Sequence, residues 1–187
     1  MNQSDCKVKI YNWLVTAFSE PFNNLTESFY YDKRDREFYS IHLADILLLN
    51  EDFTLNEDVE SSYSTSTKTL IVDRILRDEN KDPDIIAIPQ LEIADRKTIM
   101  QQFLCSINDP LLLKILRQRM ENQDGTQRFD FYFGGEASDQ IKKEWIEFKY
   151  SRLIPNIDQF LQKNGIDIDV SRLWDIGNNF SIGLNLE

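Results

Sequence analysis

The chain holds one histidine and two cysteines among its 187 residues, and this scarcity excludes more chemistry than any motif supports. A structural zinc site takes about four nitrogen or sulfur ligands and a catalytic one about three from the protein, whereas His42, Cys6 and Cys105 are scattered along the chain. Cys6 lies near the start and Cys105 within an apolar helical pattern, so two reduced thiols are expected rather than a disulfide framework. Ser/His/Asp catalysis would have to use His42, and no Gly-x-Ser-x-Gly elbow exists to pair with it. His42 alternates with Ile41 and Leu43 in a strand-like run. A half-buried or surface strand histidine is the plain reading, and a lone general base is the alternative.

Glycine is also scarce, at six residues. The one Gly pair, Gly134-Gly135, runs into Glu136 rather than into a Lys-Ser/Thr helix start, which argues against a phosphate cradle. Asp78, Asn80 and Asp82 alternate like the opening of a calcium loop. Pro83, however, stands where the sharp turn calls for Gly, and Pro89 where a bidentate Glu is needed, so a solvated acidic loop is expected. No cofactor and no metal site are expected.

No apolar run approaches the roughly 20 residues of a membrane span. Met1-Asn2-Gln3-Ser4-Asp5 lacks the basic start and apolar run of a signal peptide, so a cytoplasmic location is expected and the sequons at Asn24 and Asn179 are accidental. There is no internal repeat. The net charge is −11 and unevenly placed. Residues 1–109 carry 11 Lys/Arg against 20 Asp/Glu, residues 110–163 carry 9 against 8, and residues 164–187 carry 1 against 4. Such a balance opposes nucleic-acid phosphates, because that affinity comes largely from counterions released by basic side chains.

What is present is 41% hydrophobic and 12% aromatic sequence, enough for one sizeable core. A single domain, 1–187, is the default, with subdomains 1–50 and 68–166 separated by a flexible acidic and Ser/Thr-rich loop, 51–67. Val8, Tyr11, Leu14, Val15 and Phe18 predict a first helix over 5–19 that Pro21 ends. Residues 27–32 and 37–42 read as a β-hairpin around Lys33-Arg34-Asp35-Arg36. Ile46-Leu47-Leu48-Leu49 reads equally as more sheet or as a short helix, and a strand near 84–88 is stopped by Pro89. Helices follow over 93–107, from Asp109-Pro110 onward, and from Ser138 to a stop at Gly165. A kink or restart is expected at Pro155. The fold class is therefore α+β: an N-terminal helix and a small antiparallel sheet packed with a helical C-terminal half.

Arg128-Phe129-Asp130-Phe131-Tyr132-Phe133 reads as core plus a helix end, with a base-stacking platform as the alternative. Trp145 and Phe148 read as core anchors, with Arg152 pairing to Asp130 or Glu147. Glu144 and Glu147 are i, i+3 neighbours and with Asp130 are the candidates for a carboxylate site.

One series of blocks has a wider likeness. Ile88-Pro89, Ile99-Met100 and Phe103, Leu112 and Leu116, Gly125 with Arg128-Phe129, Trp145 with Phe148 and Arg152-Leu153, then Phe160-Leu161 and Asn164-Gly165-Ile166 resemble the bacterial Uncharacterised Protein Family 0158. Lys7-Val8 and Tyr30-Tyr31 extend the resemblance over 7–166, with the tail 167–187 outside it. Lys149 stands where that pattern has Arg. The resemblance implies a bacterial cytoplasmic protein and no assigned activity.

The leading expectation is a non-enzymatic interaction protein that meets an unknown protein partner through a surface around Arg128, Lys149 and Arg152. A carboxylate-based hydrolase or transferase using Asp130, Glu144 and Glu147 is the second expectation. An acidic mimic of nucleic acid is the third.

Overall fold

A computed structural model describes residues 3–21, 27–56, 58–59, 63–123 and 128–174. Helix α1, Gln3–Ser19, is followed by the hairpin β1, Glu27–Asp32, and β2, Glu37–His42. A 3-10 helix, Leu43–Leu48, leads toward α2, Thr65–Glu79, and β3, Ile85–Ala87. Helices α3, Ile93–Leu104, α4, Pro110–Glu121, and α5, Asp139–Asn164, precede a short 3-10 turn and β4, Arg172–Leu173. The sheet order is β3-β1-β2-β4; β1 pairs antiparallel with β2 and β3, and β4 lies parallel to β2. The protein is thus mixed helix and sheet, with a mostly antiparallel sheet as expected.

Alternation along the hairpin gives the sheet two apolar faces. Phe29, Tyr31 and Phe38 face a core built from α1 and α3–α5, while Tyr30, Tyr39 and Ile41 face a smaller one closed by α2 and the 3-10 helix. Cross-strand partners Tyr30 and Tyr39 stack at 5.3 Å on the second face. On the first, Phe18 of α1 meets Phe160 of α5 edge-on at 5.9 Å.

Several boundaries differ from the sequence reading. Val8 does not join the core face of α1; it is exposed, and Ile10 and Ala17 are buried with Leu14, Val15 and Phe18 instead. The segment expected as a loop to residue 67 is already helical at Thr65, because the Ser64 hydroxyl accepts the Thr67 N–H at 3.1 Å and caps α2. Residues 57 and 60–62 of that segment lie outside the described residues, as do Asn24, Gly125 and Asn179. Pro155 neither breaks nor restarts α5, which runs through it to Gly165 at φ 65°.

The C-terminal end of α1 ties the two halves of the chain together. Its last carbonyls lack partners within the helix; that of Phe18 accepts from Leu91 N–H at 3.1 Å and that of Ser19 from Phe129 N–H at 2.8 Å. Arg96, itself buried, donates to the carbonyl of Glu20 and, at 2.6 Å, to that of Leu91. Burial pushes its pKa down, opposed by the nearby Glu20 and Glu92.

Candidate functional site: an apolar ledge over an acidic cleft

Strand β2 ends at His42, whose backbone N–H donates to the buried Asp45 carboxylate at 2.8 Å. This bond starts the 3-10 helix. With three residues per turn, side chains three apart stand above one another. The stripe Asp45/Leu48 is buried, whereas Leu43, Ile46 and Leu47 are 57%, 49% and 64% exposed. One buried stripe suffices to seat the turn, so the remaining leucines and isoleucine form an apolar ledge.

The chain then folds back through a tight loop. Leu49 bridges to Leu55, Asn50 N–H donates to Thr54 at 2.9 Å, and Phe53 N–H donates to Asn50 at 3.0 Å. The Asp52 carboxylate takes both the backbone N–H and the hydroxyl of Thr54, at 3.1 and 2.6 Å. Those bonds hold the Asp52 carboxyl below the usual range. At the tip Phe53 is in the left-handed region, φ 64°, and 61% exposed. A bulky residue there is a genuine outlier.

Leu43 and Ile46 also line a cleft of about 120 Å³ with Glu27, His42, Asp78 and Glu79. His42 Nε2 lies 3.6 Å from the Glu27 carboxylate. The Tyr30 hydroxyl donates to Asp78 at 3.1 Å, and burial together with the Asp78 charge pushes this phenol up to about 12. Asp78 and Glu79 close α2 at its carbonyl end, where the helix dipole is negative. The carboxylates of Glu27, Asp78 and Glu79 in the cleft favour a cation. The chain from Leu43 to Thr67 contains six carboxylates and no Lys or Arg.

The sequence-derived surface is distributed differently. Arg128 is exposed and donates to the carboxylate of Glu20, the residue that follows α1. Lys149 is only 8% exposed, donating to Asp130 at 3.1 Å and to the carbonyl of Phe129 at 3.4 Å, so it adds nothing to a free basic face. Arg152 lies over the Phe148 ring at 4.9 Å rather than pairing with Asp130 or Glu147. Asp130 is held by Lys149 and by the Trp145 indole N–H; Glu144 accepts from Gln140 at 2.8 Å, and Glu147 lies 3.9 Å from Lys143. The three carboxylates therefore have separate partners.

Phe129, Phe131 and Phe133 are buried, the first two against Trp145, while Arg128 and Tyr132 of that run are exposed. Asp82, weighed as a calcium ligand, instead receives Arg34 at 2.7 Å, as its neighbour Asp84 does at 2.9 Å. Among the described residues no group of three His, Cys, Asp or Glu is placed to hold a metal ion, and no helix is long and apolar enough to cross a membrane.

Sequence reasoning passed over the ledge because an apolar run reads as core. Its one available signal was compositional: four consecutive apolar residues, Ile46-Leu47-Leu48-Leu49, and then Phe53 inside an otherwise acidic stretch. No protein-family model matches the chain, nor does any curated protein or solved structure. The resemblance to Uncharacterised Protein Family 0158 thus rests on its motif residues alone.

Proposed function

We propose that this chain is a non-enzymatic interaction protein that engages a protein partner through Leu43, Ile46, Leu47 and Phe53. The carrying observation is Phe53, a large aromatic side chain held in the left-handed region and turned out to solvent. Such a conformation costs roughly 1–2 kcal/mol for an L-residue; the turn bonds of Asn50 and Thr54 hold it in place, while the ring, mostly exposed, gains little packing in return. Strain and apolar exposure meeting at one residue are typical of a binding surface.

Two competing readings have less support. A carboxylate enzyme needs converging acid and base groups, and Asp130, Glu144 and Glu147 are each engaged elsewhere. His42 does have Glu27 beside it, yet no hydroxyl or thiol is hydrogen-bonded to its ring among the described residues. A mimic of nucleic acid needs a continuous anionic surface, whereas Asp32, Glu37, Asp82 and Asp84 at the hairpin end carry arginine partners and the exposed carboxylates Glu51 and Asp52 are set among exposed Leu47 and Phe53.

The test compares the full chain with the combined Leu47→Ser and Phe53→Ser variant as affinity baits in host extract, with captured proteins identified by mass spectrometry. The expected result is a defined partner retained by the wild type and lost by the variant, with both proteins melting within a few degrees of each other. Equal retention by the two baits would remove the ledge from consideration.

A further inference from the structure

We infer that the segment docking on this ledge is a basic amphipathic helix, its apolar side chains set against Leu43, Ile46, Leu47 and Phe53 and a Lys or Arg reaching into the cleft lined by Glu27, Asp78 and Glu79. The inference rests on the ledge being the docking surface proposed above, and adds the chemistry of the occupant.

Backbone bonding selects the mode of recognition. The amides of Leu49, Asn50, Phe53 and Asn56 donate within the segment, to Ile46, Thr54, Asn50 and Leu48. Among the described residues of the segment this leaves no continuous ladder for an added β-strand, so contact is made through side chains, as a helix laid on an apolar surface makes it.

Charge selects the sign. Glu51, Asp52 and Asp58 are exposed next to the ledge, and Asp78 with Glu79 sits at the carbonyl end of α2. The first cation after this stretch, Lys68, has its ammonium bound to the carbonyl of Val59 at 2.7 Å. A surface that is apolar and acidic together repels an anionic membrane and nucleic-acid phosphate, and attracts an apolar segment carrying Lys or Arg. A second copy would bring a like-charged ledge against this one. The chain's own residues 175–187, with two carboxylates and no Lys or Arg, would do the same.

The experiment measures fluorescence anisotropy of the full chain with two labelled peptides of about 18 residues, long enough to become helical on binding. One is built from Leu and Lys on opposite faces, the other from Leu and Glu in the same pattern. The expected result is binding of the Leu/Lys peptide alone, weakening as salt is raised from about 50 to about 300 mM. The affinity should fall by about tenfold or more in the Leu47→Ser, Phe53→Ser variant and again in an Asp78→Asn, Glu79→Gln variant.

Equal binding of both peptides, lost in the ledge variant, overturns the charge assignment while leaving the docking surface standing. Leu/Lys binding that ignores Leu47→Ser and Phe53→Ser overturns the docking surface itself. Failure of the Leu/Lys peptide to bind overturns the inference. So does a wild-type dimer that the ledge variant dissociates, which assigns the ledge to a second copy. Competition by a peptide of residues 175–187 as strong as that of the Leu/Lys peptide assigns it to the chain's own tail, and equally overturns the inference.

Discussion

Arg74 lies over Tyr39, its guanidinium carbon 4.2 Å from the ring centroid, and the Trp174 ring is 4.8 Å from the same carbon. The side chain is fully buried between α2 and the sheet and donates to Glu37 at 2.6 Å and Asp35 at 3.3 Å, with Asp32 3.6 Å away. A planar, weakly hydrated cation suits this position, because it stacks and pairs at once. Neighbouring Arg77 donates to Asp32 at 2.6 Å and Asp82 at 2.8 Å, and Arg172 of β4 reaches Glu37 at 2.8 Å. The network fastens α2 and β4 to the hairpin.

Removing Arg74 would leave Asp32 and Glu37 buried with fewer counter-charges, a change that typically costs about 3–5 kcal/mol. Arg74→Met should therefore destabilise by that order in urea unfolding, even though Met fills much of the space. A loss below about 1 kcal/mol, within the range of a surface ion pair, would mean that the buried ion pairs and the cation stacking add little beyond packing.

The same network makes stability acid-sensitive. Burial alone would raise the Asp32 pKa, but hydrogen bonds from Arg77 and from the Arg34 backbone N–H outweigh it and hold the carboxyl below the usual range. Asp82 is depressed likewise, first through its bond from Arg77. A carboxylate depressed in the folded state stabilises fully above its unfolded value, about 3.9 for Asp, and that contribution is lost as pH falls through the folded value. Unfolding free energy should accordingly be level down to about pH 4 and drop below it, with a smaller drop for Asp32→Asn, whose overall stability is lower. An identical acid slope in wild type and variant would place the sensitivity elsewhere.

The hairpin, β3, the caps at Asp109 and Ser138 and the stop at Gly165 were all legible, because each depends on local pattern: period-2 alternation, an oxygen acceptor ahead of free amides, or a positive φ. Helix α2 was not legible as a helix, since its first turn, Thr65-Ser66-Thr67, carries loop-like residues and its identity depends on Ser64 capping and on burial of Ile71 and Ile75. Arg74 and Arg96 could not be recognised as interior, because their burial requires partners contributed from distant segments. The ledge failed for the opposite reason. Sequence identifies Leu47 and Leu48 as equally apolar, and only the three-residue turn of the 3-10 helix decides that Leu48 goes in and Leu47 stays out.

Trp145 is 1% exposed and meets Phe131, Phe103 and Phe129 at centroid distances of 4.8, 5.1 and 5.7 Å. Trp145→Ala should cost about 3–5 kcal/mol, the transfer free energy of the indole plus the cavity it leaves. Trp145→Phe should cost less, keeping edge contacts while leaving Asp130 without the indole donor. A melting temperature unchanged in Trp145→Ala would contradict a core role.

Pro155 sits inside α5, exposed, where it can neither donate to the carbonyl of Ser151 nor fit its ring there without crowding. Proline in a helix interior is about 3 kcal/mol less favourable than alanine. Part of that difference should return in Pro155→Ala, because the helix is already continuous and no side-chain packing is lost. The expected outcome is a higher midpoint in urea with an unchanged slope. A lowered midpoint would mean that the proline sets a bend which α1 and α5 need in order to pack.

Phe53 offers the sharpest separation of stability from binding. Asparagine adopts the left-handed region far more readily than phenylalanine, and at φ 64° with the side chain mostly exposed there is little packing to lose. Phe53→Asn should therefore raise stability by roughly 0.5–1 kcal/mol and at the same time weaken association with the partner. For a residue that merely tolerates its position, the first effect would appear without the second. If binding survives while stability rises, the strained phenylalanine is not part of the docking surface. If stability falls, the ring has contacts that oppose its exposure. Only the combination of a more stable and less competent protein supports strain retained for recognition.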